Sequence, residues 1–528
     1  MLTKSYRLYV IGYKFISAAF LLLSFASYSQ KKEELEIHYA QTITGEDLKK
    51  HLSVLASDEY EGRETGEKGQ KMAATYIAKQ FKNSGLKAGY YDTSYFQRYP
   101  MDIQYKKEVF LNVNNNQYNP ESDYLSFYGL SEQTINTNNI FFAGYGMDDS
   151  KYNDYKNVNV KDKVVLIFDG EPMNKDSVYY VSGTKKPTDW STNYKRKEEI
   201  ARNLDAKALL IVVNNIDSAY KQYRHRLIGK SIKVKSNKKE KIPVIFISEK
   251  IADNISSSQR AVISEWKNEI EKTGKTISKE LTCNLKIEIK IEEKHLSAEN
   301  VLGYIEGTDL KNELLVLSAH YDHLGMEAGQ VFNGADDDGS GTVSIIELAQ
   351  TFALAKKEGH GPRRSMLFIT FSGEEKGLLG SEYYTDNPVY PLKNTIADLN
   401  IDMIGRVDAK HKDSIEYVYV IGSDKLSSEL HRINENANRQ FCKLKLDYTF
   451  NNVHDPNRFY YRSDHYNFAK NNIPVIFYFN GTHEDYHKET DEISKINFDL
   501  MEKRARLVFY TAWELANRDE RIKVDVKQ

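Results

Sequence analysis

Cysteine is almost missing from this 528-residue chain, which has only Cys283 and Cys442. Two cysteines cannot build a disulfide framework or a thiolate metal cluster. So far apart in sequence, they are expected to stay unpaired. A surplus of one charge is also lacking, since 73 Lys and Arg meet 75 Asp and Glu for a formal net charge of -2. Nothing is left over to neutralise phosphates, which excludes nucleic acid as the main partner. Long apolar runs are absent too. The best of them, "FISAAFLLLSFAS" near the start, is short for a membrane span. With Lys4, Arg7 and Lys14 before it, and small Ser27 and Ser29 before Gln30, it predicts a signal peptide over 1–29. The mature chain is then exported, periplasmic or secreted, with no stable membrane span after cleavage.

What remains is enough apolar material for two or three cores, with 40% hydrophobic residues. Residues 30–133 open with two helical patterns, Leu52 and Leu55 and then Ala74, Ile77 and Phe81, and turn extended from about residue 95. The segment 134–262 holds short buried strands such as "VVLIF" and "ALLIVV" and no cluster of acids, histidines or cysteines. It predicts a β-rich accessory unit. From about 300 onward, within 263–528, strand and helix patterns alternate. Alternation of this kind predicts an α/β domain with a mostly parallel central sheet flanked by helices.

Ligands of open α/β sheets sit beyond the carboxyl ends of the strands, so the residues following each strand carry weight. "LLVLSAHYDH" ends in His320 and Asp322. "NGADDDGSG" holds Asp336, Asp337 and Asp338, "LFITFSGEE" ends in Glu374 and Glu375, and "ADLNIDM" leads to Asp402. "GTHEDYHKETD" places His487 and Asp491 after the last strand. Taken singly, each has an ordinary explanation. The aspartates suit a turn with Ser340 as helix N-cap, and paired glutamates suit a helix start. Five in order along one sheet point to a metal centre of nitrogen and oxygen ligands, and that set fits zinc. More carboxylates are present than one ion needs, so a paired site with a shared carboxylate is expected. Of the adjacent glutamates, one would then bind metal while the other handles a proton.

The ordered set resembles the di-zinc exopeptidases of metallopeptidase family twenty-eight, the bacterial leucyl aminopeptidases among them. Segment 134–262, with "FFAGYG" and "NVKDKVVL", resembles the protease-associated domain inserted in such enzymes. The resemblance implies a zinc aminopeptidase fold with two Zn2+ per chain, acting on peptides with free N-termini. It also implies His320 and Asp402 at one zinc, Glu375 and His487 at the other, and Asp337 bridging. Glu374 would be the general base, and Asp322 would orient His320. From "FYYRSDH", either Tyr460 or Tyr461 would stabilise the oxyanion, while His323 and His465 are given structural roles. A cyclase acting on N-terminal glutamine with one zinc, or a carboxypeptidase using Arg462, remains compatible with the same residues.

Overall fold

The computed structural model describes residues 33–127, 129–227, 231–234, 239–260 and 262–526. The expected signal over 1–29 lies outside them. No helix among the described residues is long and apolar enough to cross a membrane. The chain forms two compact units, one of Met1–Pro100 with Ser297–Gln528 and one of Met101–Leu296.

In the first unit the strand Leu310–His320 is central, with Arg364–Phe371 parallel on one side and Thr395–Ile401 parallel on the other. Val475–Phe479 extends the parallel set. Tyr417–Ile421 pairs antiparallel beyond it, and residues 301–305 pair antiparallel with Arg364–Phe371 at the other side. The four parallel strands are buried almost throughout, as continuous apolar runs such as "LLVL" require when both faces are covered. The helices Gly341–Lys357 and Phe498–Asn517 supply much of that cover, packing Ile346, Phe352, Phe509 and Trp513 into one core. The second of these starts at Asn497, whose side chain accepts the Leu500 N–H at 3.0 Å. Helix Gly341–Lys357 is capped differently from the expectation. Asp338 Oδ1 accepts the Gly341 N–H at 2.8 Å, while the Ser340 hydroxyl donates to the Asp336 carbonyl.

The second unit has its own cores. Gln133–Ala143, Val164–Phe168, Ala208–Val213 and Val244–Ser248 form a parallel ladder. Helices Tyr194–Asn203, Ile216–Leu227 and Glu249–Ser256 alternate with them, so the unit is more helical than its strands alone suggest. Its limits lie outside 134–262 on both sides, because Phe96–Val113 and Ser278–Ile305 carry the chain in and out as long strands. Cys283 and Cys442 are both free and buried.

Candidate metal centre

The loops leaving the carboxyl ends of the parallel strands converge on one point. His320 is the last residue of its strand and lies level with Phe371, so the turn at Gly373 brings Glu374 and Glu375 beside it. Gly373 has φ +74°, and a Cβ there would lie 2.9 Å from the Tyr99 hydroxyl; only glycine allows that turn. Asn400 pairs with Ser318, which places Asp402 just past the strand end near His320. The aspartate loop folds on itself at Gly334, φ +51°, where a Cβ would sit 2.3 Å from the Asp337 carbonyl oxygen.

Asp337 lies between two histidines. Its Oδ1 is 3.3 Å from His320 Nε2, and its Oδ2 is 3.1 Å from His487 Nε2. On the His320 side, Asp402 Oδ1 is 3.7 Å and Glu374 Oε2 3.9 Å from the same Nε2. On the His487 side, Glu375 Oε2 lies 3.3 Å away. The five residues expected to bind metal therefore form two groups that share Asp337. His323, expected to be structural, reaches the second group, its Nδ1 2.8 Å from Glu375 Oε1 and 3.9 Å from Asp337 Oδ2. It is fully buried.

The three aspartates have three different tasks. Asp338 also lies near His320 and Asp402, but its oxygens are already engaged. Oδ2 accepts the His320 N–H at 3.2 Å, and Oδ1 accepts those of Gly341 and Met403 at 2.8 and 3.0 Å. Asp336 accepts the Gly405 N–H at 2.6 Å and faces His483 Nε2 at 3.2 Å. Only Asp337 aims its carboxylate into the centre between histidines. Its backbone is held by Asp491, which accepts the N–H groups of Asp336 and Asp337 at 3.0 and 3.1 Å. Asp322 accepts the Thr65 hydroxyl at 2.6 Å and the Glu374 N–H at 3.2 Å. His320 Nδ1 sits 3.1 Å from the Asp322 carbonyl oxygen but 3.8 Å from its carboxylate. Residue 322 therefore orients His320 through its backbone and Glu374 through its side chain.

Neighbouring glutamates are driven apart in charge. Burial, with Glu375 and Asp402 nearby, pushes the Glu374 carboxyl well above its usual range, although His320 opposes this. Burial and Asp337 act the same way on Glu375, but the imidazoles of His323 and His487 outweigh them and hold it at about 2. Burial also works against the charge on Asp337, which His320 and His487 nevertheless keep well below the usual carboxylate range. Burial would lower His487, yet Asp337 and Glu375 raise it to about 10.

The residues fit zinc on two observations. Asp337 Oδ2 and Glu375 Oε1 are buried and, among the described residues, meet no donor in hydrogen-bonding geometry; buried acceptors of that kind are costly unless a cation serves them. The donors are imidazole nitrogen and carboxylate oxygen.

A cleft over Asp337, Glu374 and Asp402 is walled by Phe459, Phe477, Phe479 and Met403, with Arg462 and Tyr486. Tyr460 and Tyr461, either of which is expected at the oxyanion, both line a separate cavity with Lys425 and Arg458. The tyrosine in the cleft is Tyr486, stacked on His487 with ring centroids 3.9 Å apart. Sequence reasoning missed it, although its place directly before His487 in "EDYHKE" is the signal that finds it.

Fold and donors together define an α/β protein with a candidate histidine–carboxylate metal centre. Residues 300–512 match the model of Peptidase family M28. The chain is similar to Leucine aminopeptidase 1 of Penicillium rubens, 29% identical over 214 residues that make up 38% of this chain and 52% of that protein. It is similar to Aminopeptidase YwaD of Bacillus subtilis, 24% identical over 335 residues, 61% of this chain and 66% of that protein. The chain spans about half the length of the first curated relatives it matches. Among solved structures, the aminopeptidase from Aneurinibacillus sp. strain AM-1 shares the fold, with a TM-score of 0.50 at 18% identity over 93% of this chain and 98% of that one.

Proposed function

We propose that this protein is an exported, zinc-dependent aminopeptidase that removes the N-terminal residue of peptides, with two zinc ions and Glu374 as general base. The observation that carries the reading is Asp337, one oxygen facing His320 and the other facing His487, with Asp402 and Glu375 beside the respective histidines. His320, Asp402 and Asp337 would hold one ion, and His487, Glu375 and Asp337 the other. The names of the relatives, aminopeptidases among them, agree with this.

Bound zinc would acidify water and polarise a carbonyl. The remaining work falls to the chain. Glu374, fixed by its N–H to Asp322, takes a proton from the attacking water at its carboxylate and returns it to the leaving amine. The Tyr486 hydroxyl, in the cleft beside these carboxylates, donates to the oxygen on which charge develops. Phe459, Phe477 and Phe479 give the cleft an apolar wall that limits water at the carboxylates. Segment 134–262, within the unit Met101–Leu296, would be the protease-associated insert, and the signal over 1–29 would direct export.

The test combines elemental analysis with substrates that have free or acetylated N-termini. Two zincs per chain and residue release only from free N-termini are expected. One zinc with cyclisation of N-terminal glutamine would replace this reading by the cyclase, and cleavage of acetylated peptides by the carboxypeptidase.

A further inference from the structure

Arg462 stands exposed at the edge of the candidate centre. It lines the cleft that contains Asp337, Glu374 and Asp402, yet it forms no ion pair among the described residues. It meets neutral groups, the Tyr486 hydroxyl 3.2 Å from Nη2 and the Phe459 ring with its centroid 4.8 Å from the guanidinium carbon. Nearby Arg406, in contrast, meets Asp485 at 2.8 Å. A guanidinium at a centre built to hold cations is repelled by what that centre binds. It is also the side chain best matched to a carboxylate, with a rigid fork of donors. Stacking on Phe459 and the bond to Tyr486 orient that exposed fork toward the cleft and reduce the freedom lost on binding.

We propose that Arg462 receives the free α-carboxylate of a short peptide and directs the enzyme to dipeptides and tripeptides. The proposal rests on the aminopeptidase reading above for the position of the scissile carbonyl. Consecutive residues advance by about 3.8 Å, so only a peptide ending one or two residues past that carbonyl brings its carboxylate back into the same cleft. A longer chain carries its terminus outside, and an amide-capped one offers no charge.

The experiment compares leucyl-glycine, leucyl-glycinamide and a leucine-headed pentapeptide on zinc-loaded wild type, Arg462→Gln and Arg462→Lys. The free dipeptide is expected to exceed its amide by about ten- to a hundredfold in kcat/KM, mostly through KM, as a charged hydrogen bond would give. Arg462→Gln should erase that difference by raising KM for the free acid alone, and Arg462→Lys should keep part of it. Dissociation constants for the same ligands on zinc-loaded Glu374→Gln, with and without Arg462→Gln, should show the same preference without turnover. Equal handling of acid and amide by wild type overturns the proposal. So does an equal fall in kcat for both with Arg462→Gln, which would put the arginine at the reacting carbonyl. Should wild type release no residue from any peptide, the aminopeptidase reading fails, while the dissociation constants still decide the role of Arg462.

Discussion

Adjacent Glu374 and Glu375 occupy different environments, and this can be measured one residue at a time. Glu374→Gln keeps shape but removes the base. Zinc content should be unchanged while kcat falls by about 10²–10⁴-fold, measured by elemental analysis and residue release. Glu375→Gln replaces the anion beside His323 and His487 with a neutral amide. Zinc occupancy should fall to about one per chain, and added zinc should restore activity in part. His465 is informative away from the metals. It is buried and stacked on Phe477, and burial pushes its pKa from 6.5 down to about 3. The folded state therefore binds fewer protons than the unfolded one, and stability is lost as pH falls from about 6.5 toward 3. Between pH 7 and 5 the loss from this group is about 2 kcal/mol. Denaturant unfolding of His465→Phe at both pH values should show a pH dependence smaller by that amount.

Elements meet at buried hydrogen bonds that no periodicity announces. Arg63, fully buried, donates to the carbonyls of Leu55 and Asn333 at 2.7 Å each, to Gly334 at 2.9 Å and to Tyr321 at 2.7 Å. It ties the helix Gly45–Leu55 to the His320 strand end and to the start of the aspartate loop. Arg63→Met fills much of the same space but leaves the carbonyls of Leu55, Asn333 and Tyr321 without that donor, while Gly334 keeps the Gly339 N–H at 3.2 Å. Each orphaned carbonyl costs about 1 kcal/mol or more, so the variant should lose at least about 3 kcal/mol in denaturant unfolding. Its zinc affinity should fall as well, because Asp337 is carried on the loop that Arg63 braces. The sequence shows Arg63 only as part of "EYEGRETG", a solvated turn by composition. Its burial follows from four carbonyls contributed by distant segments.

At the scale of the whole molecule, each hydrophobic core lies within one unit: two belong to the residues flanking 101–296 and two to 101–296 itself. His320, Asp337, Glu375, Asp402 and His487, the proposed zinc ligands, all belong to the former. Zinc bound only to that folded unit stabilises it by mass action, about 4 kcal/mol at a thousandfold excess over Kd. Calorimetry should therefore show chelation lowering one transition and leaving that of Met101–Leu296 in place. The alternating strands and helices after residue 300, the five metal-type residues at strand ends and the unpaired cysteines were all legible in the chain. Buried parallel strands must be apolar, and ligands must follow them, so local pattern records both. The sequence could not determine which of three adjacent aspartates faces the centre, or that Asp322 orients His320 through its carbonyl. Nor could it show that His323 joins the second group, or that Tyr486 rather than Tyr460 or Tyr461 enters the cleft. Those outcomes depend on the directions of side chains in irregular loops, where no period of 2 or 3.6 applies. There, orientation is decided by backbone donors from other segments, such as those of Gly341, Met403 and Gly405, and these come within reach only once the sheet has assembled.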